Sequence, residues 1–136
     1  MSPAPNPLRV LIVDDDSFQL EVLRDMLDTL GVADVELATG GQGALAALGA
    51  DRGAPDLLIC DLHMPGMNGF QFMESVANLG YPNGVLIVSG QSGNMVHSAG
   101  LVAQLRRLNL LGALEKPVSP EQLRGVIDSL RAAPAR

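Results

Sequence analysis

The chain has 136 residues, 47% of them hydrophobic but only 3% aromatic, and a formal net charge of -6. That length suits one domain with a real core rather than two, and the acidity argues against a direct nucleic-acid binder, which normally shows a basic footprint. No apolar stretch approaches membrane-spanning length and the N-terminus lacks a basic region followed by an apolar one, so a soluble cytoplasmic protein is expected.

Met1–Pro7 carries three prolines and no periodicity, and reads as a flexible lead-in to a domain over 8–131, with 132–136 a tail or the start of a linker. Arg9–Val13 is a first strand. Leu20, Leu23, Leu27 and Leu30 recur at spacings of four and three, which predicts an amphipathic helix closed by Gly31. Asp34–Ala38 is a short second strand, and Ala44–Leu48 lies in a helix entered through Gly40 and Gly41. Asp56–Cys60 is a third strand. The turn-rich loop Met64–Gly69 leads to a helix with Phe70, Met73 and Val76 on one side. Gly84–Val88 is a fourth strand, followed by a long helix over about Asn94–Asn109 with Val102, Leu105 and Leu108 facing the core. Ala113–Glu115 is the last strand. The last helix opens with Ser119 as cap, Pro120 at its first position and Gln122 completing a capping box, and it buries Leu123, Val126, Ile127 and Leu130. Five βα units in alternation predict an α/β fold with a doubly wound parallel sheet.

Four-residue apolar runs rich in Val, Ile and Leu read as strands buried on both faces, as in a parallel sheet. Val10–Val13 ends in Asp14, Asp15 and Asp16; Leu57–Cys60 ends in Asp61; Val85–Val88 ends in Ser89; and Ala113–Leu114 precedes Lys116 and Pro117. Open α/β sheets place their sites outside the carboxyl ends of the strands, so these polar residues collect at one edge. Mg²⁺ takes hard oxygen ligands, which the aspartates supply, and one or two carboxylates with a phosphate suffice. The simpler reading of the acidic run is a cap from Asp16 or Ser17, but a cap needs only one residue. Carboxylates also act as nucleophiles in forming aspartyl phosphates. Lys116 can hold clustered carboxylates ionised and bind phosphate oxygens as a point charge. Ser89, by itself a turn residue, offers a hydroxyl beside them, and Gly90 leaves room for a phosphoryl group. Cys60, the single cysteine, reads as a buried thiol.

Asp14-Asp15, Asp61 ahead of Met64-Pro65-Gly66-Met67-Asn68-Gly69, Ser89-Gly90 and Lys116-Pro117, in that order and spacing, resemble the response-regulator receiver domain of two-component signalling, over about Leu8–Leu130. The resemblance implies a flavodoxin-like sheet of strand order 2-1-3-4-5 and a phosphoprotein of phosphorelay signal transduction. Asp61 would accept a phosphoryl group from a sensor histidine kinase or a histidine phosphotransfer protein. Mg²⁺, or Mn²⁺ in its place, would be bound by Asp15 and Asp61 through side chains, by Asp14 largely through water, and by the backbone carbonyl of His63. Ser89 and Lys116 would hold the phosphoryl oxygens, with Lys116–Pro117 a cis peptide bond. His63 and Gln91 would flank the path of hydrolytic water and tune phosphoryl lifetime. Output would leave through the face of the fourth helix, fifth strand and fifth helix, toward a second copy or an output domain. Such a domain assists only its own phosphorylation and dephosphorylation and is otherwise no enzyme.

Two features depart from the family pattern. Its aromatic residue three positions before the lysine is Ala113 here, and the stretch from Ser89 to Lys116 is longer than is typical. With Ser89-Gly90-Gln91 and Leu110–Pro117, this is similar to receivers attached to cyclic-di-GMP phosphodiesterase (EAL) output domains. A Mg²⁺-dependent aspartyl-phosphate phosphatase would carry an acid two positions after Asp61, where His63 stands. A flavodoxin-like cofactor binder would have a hydroxyl- and glycine-rich loop in place of Asp14–Asp16. A receiver used only as a phosphorylation-independent interaction module would typically have lost Asp61 or Lys116. His97 and Arg106-Arg107 read as solvated helix residues, two separated histidines argue against zinc, and the six methionines read as core filler, with Met64 and Met67 in the kinase-facing loop.

Overall fold

The computed structural model describes residues 8–50, 53–64, 67–90 and 93–132. Strands β1 (Arg9–Val13), β2 (Asp34–Ala38), β3 (Leu57–Asp61), β4 (Gly84–Ser89) and β5 (Asn109–Glu115) alternate with helices α1 (Ser17–Thr29), α2 (Gly41–Leu48), α3 (Gly69–Asn78), α4 (Gly93–Leu105) and α5 (Pro120–Ala132). The strands form one sheet in the order β2-β1-β3-β4-β5, every pairing parallel. A two-residue ribbon, His63–Met64 against Met67–Asn68, leads into α3.

The three central strands each carry an unbroken apolar run, Val10–Val13, Leu57–Cys60 and Val85–Val88, because both of their faces are covered. Leu11, Val13, Leu58, Cys60, Val85 and Ile87 pack with Ala44 and Leu48 of α2, Phe72, Met73 and Val76 of α3, and Ala103 of α4. Val10, Ile12, Leu57, Ile59, Leu86 and Val88 pack with Leu20, Leu23 and Leu27 of α1 and Leu123 and Ile127 of α5. Successive side chains of a strand point to opposite faces, so each strand feeds both cores. Among the described residues, no helix is long and apolar enough to cross a membrane.

The helix ends are set by short-range chemistry. Asp16 caps α1, its side chain accepting from the Phe18 amide at 2.9 Å. The α5 capping box is formed in both directions: Gln122 N donates to Ser119 Oγ (3.1 Å) and Ser119 N to Gln122 Oε1 (3.0 Å). Three helices end in one pattern, with a left-handed residue followed by a buried residue whose amide reaches five positions back. Gly31 and Val32 close α1, Gly80 and Tyr81 close α3, and Arg107 and Leu108 close α4.

Several expected boundaries shift. β3 begins at Leu57 and includes Asp61, because its register with β4 runs on to Asp61 against Val88. Asp56 instead accepts the Arg9 amide at the base of the sheet (2.8 Å). α4 stops at Leu105, four residues short of expectation, and β5 starts at Asn109 rather than Ala113. Pairing with β4 from Gly84 onward claims Asn109–Gly112 for the sheet, so the chain must leave the helix earlier. Leu108 is buried and Val102 packs against the core as expected, but Leu105 is 81% exposed and Ala103 is buried instead. Val126 and Leu130 are half-buried rather than buried. Phe72, not singled out by the spacing, is fully buried in α3; the side chains of Phe70, Met64 and Met67 lie outside the described set. Arg106 and Arg107 lie beyond the end of α4, and Arg106 pairs with Glu74 of α3 (2.6 Å).

Arg107 holds φ 59°, in the left-handed region where a Cβ is unfavourable. We expect Arg107→Gly to stabilise the fold by about 0.5–1 kcal/mol and Gly31→Ala, in the same backbone geometry, to destabilise it by about 1 kcal/mol. Urea denaturation of the two variants beside the parent reads both signs, and equal signs would contradict the shared capping pattern.

Candidate functional site

At the carboxyl edge of β1, the Asp14 amide continues the pairing with β2 by donating to Ala38 O (3.1 Å). This turns the Asp14 carboxylate inward, where the residue is 2% exposed. Asp14 Oδ1 accepts from the Asp16 amide (2.9 Å) and Oδ2 from Lys116 Nζ (2.9 Å). Asp15 is exposed and Asp16 is occupied as the α1 cap, so the three neighbouring aspartates have three different surroundings. Asp61 ends β3 in the middle of the sheet, is 4% exposed, and accepts from Lys116 Nζ at 3.3 Å. Asp14, Asp15 and Asp61 each bring one carboxylate oxygen within 4.8 Å of the others.

Ser89 ends β4 and is buried, opposite Glu115 in the register. The Lys116 amide donates to Ser89 O at 2.9 Å, carrying the parallel ladder one residue past β5. From that fixed backbone the lysine stem crosses toward β3 and β1. A Cβ on Gly90 would lie 3.9 Å from the Lys116 Cδ, in ordinary contact. The Lys116–Pro117 peptide bond is cis. Partial burial works to lower the Lys116 pKa, but the hydrogen bond and charge of Asp14 and the charge of Asp61 outweigh it and hold the ammonium above its usual value.

Three carboxylates thus cluster, and the Lys116 ammonium pairs with two of them, Asp14 and Asp61. The excess negative charge and the all-oxygen donor set suit a hard divalent cation, and the residues present fit Mg²⁺ or Mn²⁺. His63 lies in the ribbon just beyond Asp61, its side chain outside the described set, and Gln91 lies outside the described residues. His97 is exposed on α4. Gly69 was not singled out as a positioning residue: a Cβ there would lie 2.8 Å from Leu62 Cδ2 and 3.3 Å from Leu62 O. Only glycine lets the start of α3 pack so closely on the residue that follows Asp61, and the Asn68-Gly69 turn dipeptide was its signal.

A doubly wound parallel sheet with acidic residues, a hydroxyl and a lysine at its carboxyl edge defines a class of signalling domain, and comparison with known proteins agrees. The family model of the response regulator receiver domain matches residues 10–128, and the chain belongs to that family. The Regulator of RpoS of Escherichia coli (strain K12) is 37% identical over 110 residues, covering 81% of this chain and 30% of that protein. Cyclic di-GMP phosphodiesterase RocR of Pseudomonas aeruginosa is 30% identical over 127 residues, covering 93% of this chain and 32% of that protein. The crystal structure of a response regulator from Colwellia psychrerythraea superposes with a TM-score of 0.77 at 26% identity, covering 93% of this chain and 98% of that one. The chain therefore spans under a third of the length of these two curated relatives.

Cys60, fully buried beside Asp61, has its thiol pKa pushed from 9.0 up to about 12, by burial first and by the Asp61 charge second. A folded pKa raised above the unfolded one gives stability that is complete below pH 9 and is lost as pH rises toward 12. Tyr81 and Lys116 are shifted in the same direction but start from 10.0 and 10.5, so the cysteine dominates near pH 9 and the comparison with its alanine variant separates it from them up to pH 10. We expect unfolding free energy to decline across that interval in the parent and to stay flatter in Cys60→Ala. Identical slopes in urea titrations would show that the thiol is not the titrating group.

Proposed function

We propose that this receiver accepts a phosphoryl group on Asp61 from a sensor histidine kinase or a histidine phosphotransfer protein. The observation that supports it most directly is the meeting of the Asp14, Asp15 and Asp61 carboxylates, with the Lys116 ammonium paired to Asp14 and Asp61. In this reading an oxygen of the Asp61 carboxylate attacks the phosphorus of a phosphohistidine. The P–N bond breaks, its electron pair leaves with the imidazole, and an aspartyl phosphate remains. Asp14, Asp15, Asp61 and the His63 backbone carbonyl would hold Mg²⁺ or Mn²⁺. Both Asp14 oxygens already accept protein hydrogen bonds, which favours Asp15 and Asp61 for direct contact. When bound, the metal supplies charge neutralisation for the phosphoryl oxygens.

Lys116, shared at rest between Asp14 and Asp61, would turn to one phosphoryl oxygen, and the Ser89 hydroxyl would donate to another, with Gly90 leaving space. Pulling Ser89 toward Asp61 favours one of two loop arrangements, and the shift extends only as far as those new bonds stabilise it. The readout we assign is the face of α4, β5 and α5, where Leu101 is 47% exposed, Leu105 81% exposed, and Ala113 exposed in place of the family's aromatic ring. That face would pack against a second copy or an output domain. The similarity to the phosphodiesterase RocR supports an output domain of the cyclic-di-GMP phosphodiesterase (EAL) class. His63 and Gln91 would flank the line of hydrolytic attack.

Incubation with acetyl phosphate and Mg²⁺ should add one phosphoryl group by intact mass. Asp61→Ala and Asp15→Ala should abolish the addition, the first by removing the acceptor and the second by losing the metal. Lys116→Ala should bind metal but lose the conformational response, and exchanging His63 or Gln91 should change the decay rate with Mg²⁺ affinity nearly unaltered. Undiminished labelling of Asp61→Ala would overturn the acceptor assignment.

A further inference from the structure

Of the three clustered carboxylates only Asp15 is exposed, and among the described residues nothing hydrogen-bonds to its side chain or pairs with it. One of its oxygens nevertheless lies within 4.8 Å of oxygens of Asp14 and Asp61. Ordering a side chain costs conformational entropy, so an unrestrained carboxylate keeps such a position only if its backbone is held on both sides.

Before Asp15, the Asp14 amide is fixed to Ala38 O at 3.1 Å. After it, Asp16 is fixed three times: its amide donates to Asp14 Oδ1 (2.9 Å), its side chain accepts from the Phe18 amide (2.9 Å), and its carbonyl accepts from the Leu20 amide (3.1 Å). Asp14 and Asp16 thus close two successive turns, each carboxylate taking the amide two positions on. The first turn encloses Asp15 and the second opens α1. Asp16 belongs to both, with the extended backbone of a helix cap (φ -95°, ψ 106°). Freeing the Phe18 amide would let the start of α1 fray and draw the Asp16 amide away from Asp14.

The structure assigns Asp16 the part of a positioning residue for the metal centre: by capping α1 it holds Asp14 and Asp15 in place, and it does not itself coordinate the ion. Its Oδ1 is committed to the Phe18 amide, and among the described residues it does not belong to the carboxylates that meet at Asp61. The third aspartate therefore serves by shape rather than by charge, and a neutral side chain that caps equally well should replace it. The inference deepens the receiver reading and rests on it.

The test titrates the full chain with Mg²⁺ and follows amide NMR shifts, which report affinity and the folded state together. Asp16→Ala should weaken Mg²⁺ binding about fivefold, the factor to which the usual worth of a helix cap corresponds. Asp16→Asn, an equally good cap, should stay within about twofold of the parent and keep the exchange protection of the Phe18 amide that Asp16→Ala loses. Ile127→Val, a core change of similar stability cost in α5, should leave Mg²⁺ affinity at the parent value. Equal weakening by Asp16→Ala and Asp16→Asn would make the charge responsible and overturn the inference, as would an unweakened Asp16→Ala or an equally weakened Ile127→Val. Absence of a saturable response in the parent would overturn the receiver reading itself.

Discussion

Lys116 Nζ lies 2.9 Å from Asp14 and 3.3 Å from Asp61, and those three residues come from the ends of three different strands. Asp14 and Asp61 are nearly inaccessible to solvent, and clustered carboxylates taken out of water repel each other strongly unless a cation stands between them. The ammonium must therefore reach from an edge strand across the end of β4 to the middle of the sheet. It does so from a backbone fixed by the bond of its own amide to Ser89 O. Loss of that lysine would leave buried negative charge without its partner, whereas loss of either carboxylate would free the lysine to take another oxygen. The asymmetry suits a site that exchanges one set of anionic oxygens for another.

Everything that brings these groups together follows from parallel pairing. All five strands run the same way, so all their carboxyl ends face one edge and all their amino ends the other. At the amino edge polar groups tie the fold together: Arg9 is paired with Asp34, its amide donates to Asp56, and Asn83 donates to Pro55 O. The carboxyl edge keeps the charge imbalance. Arg131, in the last turn of α5, donates to the carbonyls of Leu30 and Gly31 and ties the end of the chain's last helix to the end of α1. The side of the sheet carrying α1 and α5 is thereby braced, while the exposed leucines of α4 lie on the other. The output face assigned above thus spans a braced helix, an edge strand of mixed burial and a helix with exposed apolar residues.

The sequence by itself determined the fold class, most of the elements and the residue types of the site. β1, β3 and β4 were legible because burial on both faces leaves uninterrupted apolar runs, and the capping box of α5 and the glycine that closes α1 because they act over three or four residues. Ser119, Gln122, Gly31 and Asp61 could be placed from their neighbours alone. Tertiary structure decided the rest, wherever a distant partner overrode the local pattern. The end of α4 was misplaced because its closing residue is Arg107, which carries no glycine-like stop signal, and because pairing with β4 draws Asn109–Gly112 into the sheet. As an edge strand with mixed burial, β5 lacks the unbroken apolar signature of its neighbours. Likewise the run Asp14–Asp16 announces acidity but not roles. Only packing shows Asp14 buried on Lys116, Asp15 exposed and Asp16 spent on a helix cap, because these differences depend on a lysine more than a hundred residues away reaching one of them and not the others.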